Sequence, residues 1–511
     1  MSRVDNRRIA RNTLYMYLRM LVITVVSLFT TRINYRALGI DNYGIYNVVG
    51  SVIVFFSFIN IGLTTATRRY ITAELEQGDA DSQRNVFSLA VWAHVFISFV
   101  ILVLAETIGL WAVNHLLNIP EGRMFAANVV YQLSVFSAIL QVMQAPFTAA
   151  ITANERMNIY AYLSIVDVVL KLAAAYLVMV APGDKLIVYA ICIFVIGFTN
   201  IAINRFYCYR QFPMCKYKRP HNKKLLNEMF GYMGWNLCGQ GTVVLANQGV
   251  TMLVNIFYTV AANAAMGVSN QITRIVHNLA TNFQVAFHPQ IIKLYVSENY
   301  SDLNTLVNRC SRISSYLVLL LLIPICFQVT NFLELWLGDY PEYAVEFCVY
   351  TLLAIFIDAM ASPLWLLLGA DKDIKKYQII ISVIYSFTFI GSWIVLKLGF
   401  APYSTIIVRG IVLFVGTIAR LFLVKEKVAS FSILTWIKEV IGKSILVSLI
   451  PVASCFVIGL LNFDNLIVEL IVKGGLSFGI ICLSVFFIGL DKNEKKVVSS
   501  KIPVLNAISR Y

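Results

Sequence analysis

VAANAAMGVSNQITRIVHNLATNFQVAFH, residues 260–288, decides the fold. Asn263, Gly267, Asn270, Arg274, His277, Thr281, Gln284 and His288 follow one another at alternating steps of four and three. That spacing stacks them along one face of a helix, and most of the opposite face is Ala, Val, Ile and Phe. At 1.5 Å per residue the stripe runs roughly 37 Å, enough to cross a hydrocarbon core of about 30 Å. Hydrocarbon cannot solvate such a face, so the stripe is expected to look into protein or water. Arg274, near its middle, costs about 2.5–3.5 kcal/mol on insertion scales. An intramembrane cation kept against that cost points to a pathway for something anionic.

The rest of the chain agrees. Of its 511 residues, 59% are hydrophobic and only 13% charged, a composition foreign to soluble domains. Apolar stretches recur along the whole length, and the longest polar interruptions, about twenty residues, are too short for a separate soluble domain. The expected fold is all-α: a polytopic membrane protein of about fourteen transmembrane helices. The spans fall near 13–33, 43–63, 86–109, 128–150, 159–181, 186–207, 230–256, 260–289, 311–334, 344–369, 375–397, 402–424, 440–461 and 466–489.

The net charge of +14 does not indicate nucleic acid, because the basic residues sit in alternate loops. With the N-terminus inside, cytoplasmic segments hold 31 of the 41 Lys and Arg, and the outer loops hold five: Arg32, Arg36, Arg123, Lys185 and Lys397. That bias is expected to place both termini in the cytoplasm. The basic start, MSRVDNRRIARN, precedes an apolar run too long for a cleaved signal, so a retained first helix is expected. The nine cysteines show neither metal spacing nor a disulfide framework.

The chain divides into two echoing halves. In the first, RALGIDNYGIYNVV (36–49) leads to a helix ending TTATRRY (64–70). In the second, GWNLCGQGTVVLANQG (234–249) leads through TVAANAAMGVSNQ (259–271) to FHPQIIKLY (287–295). The expected organisation is a six-helix lobe over 1–207, a basic linker over 208–229, a second six-helix lobe over 230–424, an extra helix pair over 425–490 and a cytoplasmic tail over 491–511. Repeats of this kind place a transporter's substrate site between them.

Polarity concentrates in the first two helices of each repeat. Asn236, Gln240, Asn247, Gln248, Asn263, Asn270 and Thr281 are the expected polar lining, and Arg19, Arg274, His277, Arg32 and Arg68 its cationic groups. No carboxylate lies on those faces, whereas guanidinium matches phosphate oxygens in bidentate fashion, so phosphate or an acidic sugar is the substrate chemistry implied. For any single Asn the alternative is a hydrogen bond between helices, worth about 0.6 kcal/mol. For Arg19 it is snorkelling to the surface.

Other intramembrane charges read as local pairs: Asp167 with Lys171 and Glu469 with Lys473, each four residues apart on one helix. Asp358 either pairs with Arg409 or binds a coupling proton or sodium ion. His94 reads as a packing histidine. The segment 110–127 is expected to lie on the membrane surface, and the basic loop 205–229 to anchor in the cytoplasm or touch anionic head groups. No P-loop, catalytic constellation or cofactor motif is present, so no enzyme activity is expected and a sodium or proton gradient is the open energy source.

Several local patterns carry a family resemblance: RALGIDNYGIYNVV (36–49), TANERMNIYA (152–161), AANAAMGVSNQ (261–271) with HPQIIKLY (288–295), and LELWLGDYPEYA (333–344). Together they resemble the Wzx-type O-antigen and capsule flippases of the multidrug/oligosaccharidyl-lipid/polysaccharide exporter superfamily, over about residues 1–430. The resemblance implies alternating access by two six-helix lobes. It implies translocation of an undecaprenyl-pyrophosphate-linked oligosaccharide from the inner to the outer leaflet, for O-antigen lipopolysaccharide, capsule or exopolysaccharide. Arg19 and Arg274 match the family's cationic cavity by type and place, and the extra pair would hold the polyprenyl tail. Lipid-linked oligosaccharide and membrane lipids are the implied partners, with a glycan polymerase and glycosyltransferases as further candidates. The coupling residues of such families are not identifiable here.

Three rivals remain at this stage. A multidrug extruder requires acidic cavity residues, a membrane glycan polymerase or ligase a sizeable catalytic outer loop, and an assembly scaffold only its contacts.

Overall fold

A computed structural model describes residues 6–57, eight positions between 60 and 75, and then 79–154, 156–216, 241–370, 375–461, 463–492 and 494–495. The described residues are helical with no strand, as expected for a chain whose backbone must satisfy its own polar groups in lipid. In chain order the helices are α1 (Asn6–Ser57), α2 (Ala80–His115), α3 (Glu121–Ala153), α4 (Met157–Val180), α5 (Lys185–Gln211), α6 (Gly241–Phe257) and α7 (Val260–Val296). They continue as α8 (Tyr300–Phe327), the short α9 (Val329–Leu337), α10 (Ala344–Gly369), α11 (Lys375–Lys397), α12 (Ser404–Lys427), α13 (Ile433–Gly459) and α14 (Leu466–Gly489). Ten of these described helices are long and apolar enough to cross a membrane. The two arms of α1, with α6 and α7, supply the other four of the expected fourteen.

Two local features depart from the sequence reading. The connection expected between the first two spans is a kink inside α1, made at Gly39 with φ 77° and ψ 172°. Only glycine adopts that backbone without strain. A few residues on, Gly44 lies so close to α7 that a Cβ there would overlap the Val260 carbonyl. The segment expected on the membrane surface instead begins as a continuation of α2: Leu110–His115 follows a π-helical turn, Ala105–Gly109, and extends the helix to 36 residues. Beyond it, Leu117 and Ile119 are buried in a core with Val113, Val130 and Val260. Asn118 is fixed there by its N–H to Asn255 Oδ1 (2.8 Å) and its Nδ2 to the Tyr258 carbonyl (2.8 Å).

Polar side chains fix the helix ends. Asp79 caps α2, accepting from the Ser82 N–H at 2.7 Å. Asp184 caps α5 through the Leu186 and Ile187 N–H groups and pairs with Arg123 at 2.6 and 3.0 Å. The Arg123 hydrogen bond holds the Asp184 carboxyl below its ordinary value, and the capping N–H groups act in the same direction. Within the spans, Lys171 pairs with Asp167 at 2.7 Å and Lys473 with Glu469 at 2.6 Å, both as expected from four-residue spacing. Asn200 adds a hydrogen bond to Asp167 at 2.6 Å.

The chain forms two compact units, Met1–Gly267 with Tyr385–Thr405, and Val268–Ile384 with Ile406–Tyr511. In the second, the buried Arg312 of α8 reaches Glu439 of α13 at 2.9 Å, and Asp491 and Glu494 beyond α14 at 2.7 and 2.8 Å. Arg309 adds a contact to Glu494, and Lys443 contacts Glu439 and Asp491. Three cations thus face three carboxylates. Burial would raise the Asp491 carboxyl, but hydrogen bonds from Arg312 and Lys443 outweigh it and hold it below its ordinary value. The network ties α13 and the segment after α14 to α8.

Candidate functional site

The second-unit part of α7 presents the polar face that the sequence implies. Asn270, Arg274 and His277 are exposed and Thr281 is half-buried, in steps of four, three and four. Arg274 Nη2 donates to Gln271 Oε1 at 2.6 Å. Gln271 is itself buried, so it holds one edge of the guanidinium from behind. Thr281 Oγ1 donates to the His277 carbonyl at 2.9 Å and lies 3.3 Å from His277 Nδ1.

Not every polar residue of α7 joins that face. Ser269, off the stripe, is buried with its Oγ 3.0 Å from the Phe347 carbonyl and 2.9 Å from Thr351 Oγ1. Gln284, counted in the stripe, is buried and donates to Ser314 Oγ at 3.4 Å. Asn263 must also be corrected. It has no exposed surface, and its Nδ2 donates to the Thr251 carbonyl at 2.8 Å. Gly267 belongs to packing as well, since a Cβ there would collide with the Asn47 side chain. Helical spacing alone cannot separate a wetted Asn from one bonded to a neighbouring helix.

On α6, Asn247 and Gln248 are half-buried within the π-helical turn Leu245–Gly249. Asn247 Nδ2 donates to the Val243 carbonyl at 2.9 Å, and Thr251 Oγ1 to the Asn247 carbonyl at 3.1 Å. Asn236, Gln240 and Arg68 lie outside the described residues. Arg19 lies on the α1 backbone, with its side chain outside the described part, and Arg32 is half-buried farther along the same helix. Asp358 is half-buried on α10 and forms no ion pair among the described residues.

Two features escaped the sequence reading. Glu106 sits in the π-helical turn of α2 and accepts from Gln132 Nε2 at 3.1 Å, while Tyr131 OH donates to the neighbouring Ala105 carbonyl at 2.6 Å. A lone carboxylate in a long apolar run was the available signal. The Arg312 network joins residues more than a hundred positions apart, and no local pattern marks it.

The chemistry of the α7 face follows from its donors. A guanidinium carries five N–H groups. With one edge held by Gln271, the rest are directed at whatever passes, and oxyanions of phosphate or uronate type fit that fork. Among the described residues this face carries no cysteine and no carboxylate. The arrangement can bind and guide an anion.

Residues 9–294 match the family described as polysaccharide biosynthesis protein. An uncharacterized membrane protein, EpsK, from Bacillus subtilis (strain 168), is 20% identical over 316 residues. That match covers 61% of this chain and 62% of the relative, so it spans less than two thirds of the relative's length. Among solved structures, the lipid II flippase MurJ in an inward closed conformation shares the fold with a TM-score of 0.67 at 14% identity, over 93% of this chain and 98% of that one. An inward-facing multidrug resistance transporter of the MATE family gives a TM-score of 0.65 at 11% identity, over 81% and 99%. The two solved structures are a flippase and a transporter, and the fold is that of a multi-pass membrane protein.

Proposed function

We propose, for a chain that belongs to the polysaccharide biosynthesis protein family, the role of a flippase for a lipid-linked oligosaccharide. The substrate in this reading is a repeat unit on undecaprenyl pyrophosphate. It moves from the inner to the outer leaflet of a bacterial inner membrane, with both termini of the protein cytoplasmic. The cycle is alternating access by the repeats 1–207 and 230–424, with the pair 425–490 beside the polyprenyl tail.

The observation that carries the reading is the exposed Arg274, braced by Gln271 and flanked by Asn270, His277 and Thr281 on one face of a membrane helix. An intramembrane cation with spare donors lowers the barrier for a pyrophosphate that hydrocarbon would exclude. Hydroxyl-rich sugar finds partners in the amide and hydroxyl groups beside it. A multidrug exporter of organic cations would need carboxylates where this face carries Arg274 and His277.

The test is transport of a fluorescent polyprenyl-pyrophosphate oligosaccharide in proteoliposomes, read as exposure of label to an external quencher. Flipping by the wild type that is lost in Arg274→Ala supports the reading. Flipping undiminished in Arg274→Ala, or efflux of organic cations in its place, would contradict it. O-antigen, capsule or exopolysaccharide is decided by which repeat unit is accepted. A polymerase and glycosyltransferases are the natural neighbours of such a step, because they consume and supply its substrate.

A further inference from the structure

Within the first unit, α2, α3 and α5 enclose a cavity of about 390 Å³. Its walls are mainly apolar, with Val91, Met143 and Phe147 among them, and its polar residues are His94, Arg205 and Tyr209; among the described residues no carboxylate lines it. His94 is buried on α2, with Nδ1 2.8 Å from the Ala90 carbonyl. A carbonyl only accepts, so Nδ1 carries the proton, and Nε2 of the neutral ring is an acceptor. That Nε2 is buried and has no hydrogen-bond partner among the described residues. Arg205, exposed on α5, stands with its Cζ 5.5 Å from the Tyr209 ring centroid. The residues around the cavity therefore carry a guanidinium for an anion, an orphaned acceptor for a hydroxyl, and an apolar wall.

We propose that this cavity binds the head group of an anionic glycerophospholipid: the phosphodiester on Arg205, a head-group hydroxyl donating to His94 Nε2, and the first acyl carbons against Val91, Met143 and Phe147. The three features select together. Free phosphate has no use for the apolar wall. A zwitterionic choline lipid has no hydroxyl donor for Nε2. A pyrophosphate bearing an oligosaccharide is too large for about 390 Å³. Phosphatidylglycerol meets all three requirements. The site is separate from the α7 face and does not depend on the translocation reading.

The test is lipid retention by the purified full chain in detergent, measured by native mass spectrometry. The lipids are phosphatidylglycerol, phosphatidylmethanol (the same diester without the hydroxyls) and phosphatidylcholine, with inorganic phosphate as competitor. Phosphatidylglycerol is expected to be retained about fivefold more than either other lipid, the scale of one or two head-group hydrogen bonds. Arg205→Gln is expected to cut that retention about fivefold, while Arg210→Gln, which removes a nearby exposed charge outside the cavity, leaves it unchanged. His94→Phe should bring phosphatidylglycerol down to the phosphatidylmethanol level. Should that variant fail to fold, the lipid series on the wild type and Arg205→Gln decides alone. Equal retention of the three lipids, equal losses in Arg205→Gln and Arg210→Gln, or displacement of the lipid by millimolar inorganic phosphate would overturn the proposal.

Discussion

Arg274 and Gln271 stand one turn apart on α7, and the guanidinium donates to the amide oxygen at 2.6 Å. The arginine is exposed and the glutamine buried, so the cation is aimed from behind. Gln271→Ala should leave the charge but free its direction, lowering transport by about tenfold to a hundredfold, the worth of one charge-assisted hydrogen bond. Arg274→Lys should fall between wild type and Arg274→Ala, since an ammonium keeps charge but loses the planar fork. Initial flipping rates of the three variants check the order.

Gly44 approaches the Val260 carbonyl too closely to admit a methyl group. Gly44→Ala should therefore push α1 and α7 apart and destabilise the protein by about 3 kcal/mol, at the upper end for overpacking. Gly50→Ala, where a Cβ meets nothing, is the matched control. Thermal unfolding in detergent, followed by tryptophan fluorescence, should show a clear drop for the first and little change for the second.

Arg312 is the hub for Glu439, Asp491 and Glu494. Its removal leaves buried Glu494 without one of its two cations, so Arg312→Ala should cost about 3–5 kcal/mol, the range for breaking a buried ion pair from one side. Glu439, more exposed, should matter less. Limited proteolysis beyond Gly489 reports the loss: cleavage should appear in Arg312→Ala under conditions that spare the wild type.

The Arg123–Asp184 pair predicts a pH dependence. The Asp184 carboxyl titrates below its ordinary value of 3.8, so its contribution to stability is complete above that value and disappears as pH falls through the lower folded value. Asp184→Asn keeps a capping oxygen but loses the ion pair. Its deficit relative to wild type should be constant from about pH 5 to 8, no larger than about 1 kcal/mol, and should close below pH 4. Melting curves of both proteins across that range test it.

The helical class, the span positions and the exposed part of the α7 face were legible because each rests on local periodicity. Asp167–Lys171 and Glu469–Lys473 were legible for the same reason: four-residue spacing puts both partners on one face. Asn263 and Gln284 were not, because a buried amide and a wetted one leave the same trace in a helical pattern. What separates them is a partner on another element, Thr251 for one and Ser314 for the other. The segment around Gly39 reads from the sequence as a connection between two spans, yet a helix can resume directly after a single residue of positive φ. The Arg312 hub joins helices far apart in the chain, and pairings of that range have no local signature.

The α7 cation is proposed to move an anionic lipid-linked glycan. Proteoliposomes containing wild type or Arg274→Ala, loaded with fluorescent undecaprenyl-pyrophosphate oligosaccharide, test it most directly through the fraction of label reached by an external glycosidase. Wild type should raise the accessible fraction well above protein-free vesicles, and folded Arg274→Ala should return it to their level. Equal accessibility with wild type and Arg274→Ala would contradict it.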